Sequence, residues 1–147
     1  MNVDEIWDYV YENGLSGKQN QFNDLQRHLF YYIDFKTEVD FGGFLYNKSP
    51  SARDQNNYEP YINCWKFFGY ERLASLVQRY NDLHVDANHK LGKGASMPSE
   101  EFHERFGLSE LRNETENEID IVVADIDKVL DWIKQNSIAL SATDHGK

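Results

Sequence analysis

Cysteine occurs once, at position 64, in a chain of 147 residues. No internal disulfide can staple the fold, and the setting Cys64-Trp65-Lys66-Phe67-Phe68 reads as a buried thiol. The same scarcity removes every paired-cysteine zinc pattern, and five dispersed histidines do not replace it. Apolar runs reach only a few residues, far below the roughly 20 needed to cross a bilayer. The start, Met1-Asn2-Val3-Asp4-Glu5, is acidic where an export signal is basic. The expectation is a cytoplasmic protein with no membrane contact. Bases are scarce too: 15 Lys and Arg stand against 25 Asp and Glu, a formal charge of −10. Phosphate neutralisation supplies most nucleic-acid affinity, so direct binding of nucleic acid is disfavoured and basic protein partners are favoured.

Catalytic patterns are also missing. Gly42-Gly43 and Gly92-Lys93-Gly94 lack the Walker and Rossmann spacings and read as turns. Glu100-Glu101-Phe102-His103 supplies one Glu-x-x-His, whereas a di-iron bundle needs two and further glutamates. His84 and His89, with Asp82 and Asp86 nearby, fall in a segment read as loop, where ordinary surface residues explain them far better than a metal does. Cys64 could act as a nucleophile only beside a histidine, and its aromatic flanks argue for burial. The aromatic supply from Tyr31 to Tyr70 matches a base-stacking set in number only; its helical spacing points to core packing. The expectation is a protein that is not an enzyme and carries no cofactor or metal.

What is present is a globular composition, with 40% hydrophobic, 14% aromatic and 27% charged residues. The length suits one domain. Val3, Ile6, Trp7 and Val10 space a first helix over 3–13, with Gly14 placed to end it. Phe22, Leu25, Leu29, Tyr32 and Ile33 space a second over 19–40, stopped by Gly42-Gly43. A polar loop is expected over 44–57, then an αα-hairpin of helices over 58–68 and 71–83 about Gly69. A long irregular connection over 84–98 follows, then a short helix from Ser99 to Gly107. Ile119, Val122, Val123, Ile126, Val129, Leu130 and Ile133 give the clearest amphipathic stripe, predicting one helix over 109–136. The fold class is all-α: a single-domain bundle of about five to six helices over 1–137, with a flexible tail over 138–147.

Charge is lopsided. Residues 100–131 hold eleven acids against Arg105, Arg112 and Lys128, and the first helix adds Asp4, Glu5, Asp8 and Glu12 without a base. At about 100° per residue, Glu116, Asp120, Asp127 and Asp131 lie within roughly 60° of one another, a ridge on the order of 22 Å long. Such a ridge spans several phosphate spacings and could engage a basic groove as DNA does. The simpler reading of the pattern alone is the solvated face of an amphipathic helix, which needs no partner. Glu114 and Glu118 flank the ridge and join the candidate protein-binding set.

The segment Thr37-Glu38-Val39-Asp40-Phe41-Gly42-Gly43-Phe44-Leu45-Tyr46-Asn47 resembles a widespread bacterial family of small helical proteins, long catalogued as a domain of unknown function and including a DNA-mimic protein. The family pattern is Glu-Val-x-x-Gly-Gly-Phe followed by an aromatic and an asparagine. Asp40-Phe41 replaces the polar pair usual before the glycines. Trp65-Lys66-Phe67-Phe68-Gly69-Tyr70-Glu71-Arg72-Leu73-Ala74 resembles the family's helix, glycine and helix element, and 125–133 its closing helix, so the resemblance covers about 20–136. It implies an all-α fold and, for one branch, an acidic surface that occupies the DNA-binding face of a regulator. Glu38, Gly42, Gly43, Phe44 and Asn47 have a structural explanation as a helix end, a turn and returning aromatics; a pocket around Glu38 and Asn47 is the alternative.

These readings converge on a non-enzymatic acidic binding protein, a DNA mimic in its sharpest form, acting as monomer or homodimer on a DNA-binding regulator. The alternatives are an immunity protein against a nuclease-type toxin, and a small enzyme using the Glu38 region or His84.

Overall fold

Apolar spacings of three and four residues recur along the chain, and the backbone follows them. The computed structural model describes residues 1–47, 58–92 and 94–142, and every regular element among them is helical. In order these are α1 (Val3–Leu15), a 3-10 turn (Gln19–Gln21), α2 (Asp24–Asp40), α3 (Phe44–Asn47), α4 (Glu59–Phe67), α5 (Glu71–Leu91), α6 (Ser99–Arg105), α7 (Ser109–Ala124), α8 (Ile126–Gln135) and α9 (Ser137–Ser141). The all-α class is as expected, but the described residues form nine α-helical segments where five or six were expected. No helix among them is long and apolar enough to cross a membrane.

The differences have local causes. The helix expected over 109–136 breaks at Asp125 (φ −88°, ψ 25°), where the Asp125 N–H bonds Val122 O and Asp125 O accepts from Lys128 N, each at 3.1 Å. Bonds three residues apart interrupt the four-residue ladder there, and α8 starts afresh. Asn136 makes a second break, and α9 then buries Leu140 completely within the segment expected to fray. Residues 143–147 of that tail lie outside the described residues, as do Lys93 and residues 48–57 of the expected loop; α3 opens the rest of that loop. α2 begins at a capping box: Asn23 Oδ1 accepts from the Gln26 N–H while Gln26 Oε1 accepts from the Asn23 N–H. Its partners 19–21 therefore stand apart as a 3-10 turn. α5 runs through the expected connection because Tyr80, His84, Ala87 and Leu91 continue its inner face onto α6.

Gly14 does not end α1. It packs inside the helix, where an added Cβ would lie 2.2 Å from the Phe30 ring, and the chain turns three residues later. At the end of α2, the Gly43 N–H bonds Glu38 O and the Gly42 N–H bonds Val39 O, a Schellman closure that needs the positive φ (128°) of Gly42.

The core forms around α2, which packs against α1, α3, α4 and α9. Tyr32, Phe35, Phe44, Tyr58 and Trp65 are 1% exposed or less. Phe35 meets Trp65 edge-on at 5.1 Å between centroids, and Phe44 meets Tyr61 at 4.9 Å. Full burial is worth about 1.5–3 kcal/mol for a Phe-sized side chain, with edge-to-face pairing adding about 1. α4 and α5 form the expected hairpin, α7 lies on α5, and α8 lies beside α1.

Candidate functional site

The ridge of Glu116, Asp120, Asp127 and Asp131 presupposes one straight helix. Instead the first pair stands on α7 and the second on α8, on either side of the break at Asp125, so straight-helix angles no longer relate the pairs. Asp120, Asp127 and Asp131 are exposed and Glu116 is half-buried. The carboxylates of α7 are also divided among themselves. Glu114 and Glu118 lie roughly 160° around the helix from Glu116 and 120–160° from Asp120, on the flank toward α5. There the Arg72 guanidinium takes both, at 2.7 Å to Glu114 and 3.2 Å to Glu118.

α8 is acidic on its outer face but not in sum. Val129 and Ile133 are fully buried, which turns Asp127 and Asp131 outward, while Lys128 and Lys134 offset them. Lys128 is occupied, its ammonium 4.6 Å from the centre of the Tyr70 ring. α1 carries no base: Ile6 and Val10 face the core, and Asp4, Glu5, Asp8 and Glu12 are all exposed. Because α1 packs against α8, the acidic first helix neighbours only the last part of the second acidic segment, the part that carries Asp127 and Asp131.

The Gly-Gly region is a helix end. The Glu38 carbonyl receives the Phe41 and Gly43 N–H groups, Phe44 is buried, and Phe41 projects with 80% of its surface exposed. Asn47 closes α3, and its side chain lies outside the described residues. Nearby, the Tyr61 hydroxyl donates to Asp34 Oδ2; burial first, then this bond, drives the Tyr61 pKa well up.

His84 and His89 lie on α5, not in a loop. His84 is buried against Phe102 and His103, and Asn88 Nδ2 donates to its Nδ1 at 3.2 Å. His103 Nδ1 lies 2.7 Å from Ser99 O and so carries the proton, leaving Nε2 to accept from the Tyr80 hydroxyl at 2.8 Å. Burial, then His103, lowers the His84 pKa to about 4. Among the described residues no group of three or more His, Cys, Asp or Glu is placed to hold a metal. Cys64 is buried, and burial pushes its thiol well up, the wrong direction for a nucleophile.

Two open clefts accompany these surfaces. One, of about 510 Å³ between α4 and α5, is lined by Ile62, Lys66, Gln78, Arg79, Asp82 and Leu83 among others. The other, of about 410 Å³ between α4 and α8, is lined by Phe67, Phe68, Lys128, Asp131, Trp132 and Gln135. Sequence reading assigned Phe67 and Phe68 to the core, which holds for Phe68 but not for the exposed Phe67, and it gave Trp132 and Arg72 no role. Neither carries a local signal, because both depend on which helices become neighbours.

Fold and surface together define an all-helical protein whose charge lies on its outer carboxylates. Residues 20–136 match the model of a family described as DMP19-like protein, and the chain belongs to that family. Comparison with curated proteins and with solved structures returned no match.

Proposed function

We propose that this chain is a non-enzymatic acidic binding protein that covers the basic surface of a cytoplasmic partner, a DNA-binding protein, in the manner of a DNA mimic. The observation that carries the reading is the packing of base-free α1 beside α8, which sets Asp4, Glu5, Asp8 and Glu12 on a helix adjacent to that of Asp127 and Asp131. Membership in the DMP19-like family supports it, since the resemblance implies a DNA-mimic branch. Glu116 and Asp120 extend the field, while Glu114 and Glu118 are partly spent on Arg72. A surface of this kind attracts a basic partner by long-range steering, which accelerates encounter and fades with salt.

Affinity capture from lysate at low salt tests the reading, with charge reversal at Asp4, Asp8 and Glu12 in one variant and at Asp127 and Asp131 in another. The expected result is a nucleic-acid-binding protein that is captured by the wild type, released by salt and lost in both variants, with melting temperatures unchanged. Capture of a nuclease in its place would make the protein an immunity protein. A partner indifferent to salt and to both reversals would reduce the acidic faces to solvation.

A further inference from the structure

Phe67, Phe68 and Trp132 stand nearly perpendicular in all three pairings. Phe67 and Trp132 meet at 81° with centroids 5.6 Å apart, Phe68 and Trp132 at 87° and 4.9 Å, and Phe67 and Phe68 at 83° and 5.1 Å. Rings so arranged form a corner, and this one opens on the α4–α8 cleft, with Asp131 and Gln135 also on its lining. Phe67 is 42% exposed, and His28 stacks on it at 4.2 Å and 13°, which fixes the ring's orientation. Lys128, the only Lys or Arg lining this cleft among the described residues, is drawn onto Tyr70. Asp131 has no ion-pair partner among the described residues.

The geometry points to an arginine side chain of a basic partner as the occupant of this cleft, an inference that rests on the acidic-partner reading above. Aromatic faces attract a cation through the ring quadrupole. A guanidinium adds a plane that stacks on a ring and a fork of donors that matches the Asp131 carboxylate. The Gln135 amide oxygen is a further acceptor. A lysine ammonium has neither plane nor fork, so the cleft discriminates between two equally charged side chains. Lys128 competes for the same environment from within the chain.

Fluorescence anisotropy at low salt with labelled hexa-arginine and hexa-lysine peptides tests this directly. The wild type is expected to bind hexa-arginine at least about fivefold tighter than hexa-lysine. Phe67→Leu and Asp131→Asn, both at exposed positions, are expected to erase that preference, and Lys128→Gln to enlarge it. Equal affinity for the two peptides, or a preference that survives both Phe67→Leu and Asp131→Asn, overturns the cleft. A variant with Asp4, Asp8 and Glu12 changed to Asn separates the two readings, because it should weaken both peptides alike and keep their ratio. If that variant binds both peptides as the wild type does, the α1 surface fails while the cleft stands.

Discussion

The Tyr70 hydroxyl donates to Asp125 Oδ2 across 3.1 Å, joining the residue before α5 to the residue at which α7 gives way to α8. Burial, then this bond, raises the Tyr70 pKa well above its ordinary value, so the phenol keeps its proton. Lys128 covers the same ring, so one tyrosine holds the residue at the bend and the first turn of α8. Tyr70→Phe removes the hydrogen bond and keeps the ring. Urea unfolding should show a loss of about 0.5–1.5 kcal/mol with an unchanged slope; a loss several times larger would mean that the bend itself depends on the hydroxyl.

Arg72 is the cation that divides α7's carboxylates. Replacing it with Gln frees Glu114 and Glu118, and because the ion pairs are exposed the stability cost should be no more than about 1 kcal/mol. Association with a basic peptide at low salt should become faster. Stopped-flow mixing measures this, and a slower association would show that Arg72 orders the surface rather than diluting its charge.

Gly14 sits against Phe30 with no room for a methyl group. Gly14→Ala should destabilise by about 1–3 kcal/mol despite the better helix propensity of Ala. Thermal melting reads the result, and a gain in stability would show that the Phe30 ring can move aside.

His84 gives stability a defined pH dependence. The unfolded chain takes up its proton near the ordinary 6.5, whereas the folded protein does so only at about 4. Unfolding therefore takes up a proton between those values, so stability is full above about pH 6.5 and falls as pH drops toward 4. His84→Leu removes this contribution, while carboxylate titrations common to both proteins cancel. Between pH 7 and 4 the wild type should lose up to about 3 kcal/mol relative to the variant in chemical denaturation. Parallel curves would place the histidine in contact with water.

Helix existence was legible in the sequence because most helices bury one stripe, and stripes of three and four residues mark the amino acids themselves. The same logic concealed the bend at Asp125. Ile119 and Val122 before it, and Val129 and Ile133 after it, all face the core, so the pattern runs on while the backbone does not. The end of α5 was misread for the opposite reason: His84 and Ala87 carry its inner face without counting as large apolar residues. Asn23-x-x-Gln26 was a readable start signal for α2 that the longer apolar rhythm overrode. The acidity of α1 and α7 was plain from composition. That Arg72 would reach Glu114 and Glu118, and that Trp132 would meet Phe67, was not, since residues 42 to 65 positions apart meet only through tertiary packing.

The amides that close the start of α2 also reach the far end of the chain. Asn23 Nδ2 donates to Ala139 O at 2.9 Å, and Gln26 Nε2 donates to Leu140 O at 3.0 Å and Ala142 O at 2.8 Å, from positions 114 to 116 residues away. On the ribosome, Gln26 emerges long before its acceptors have been synthesised, and a buried amide without them is costly. The first long helix is thus fastened only once α9 has been made, which makes that short segment a clasp on the start of α2.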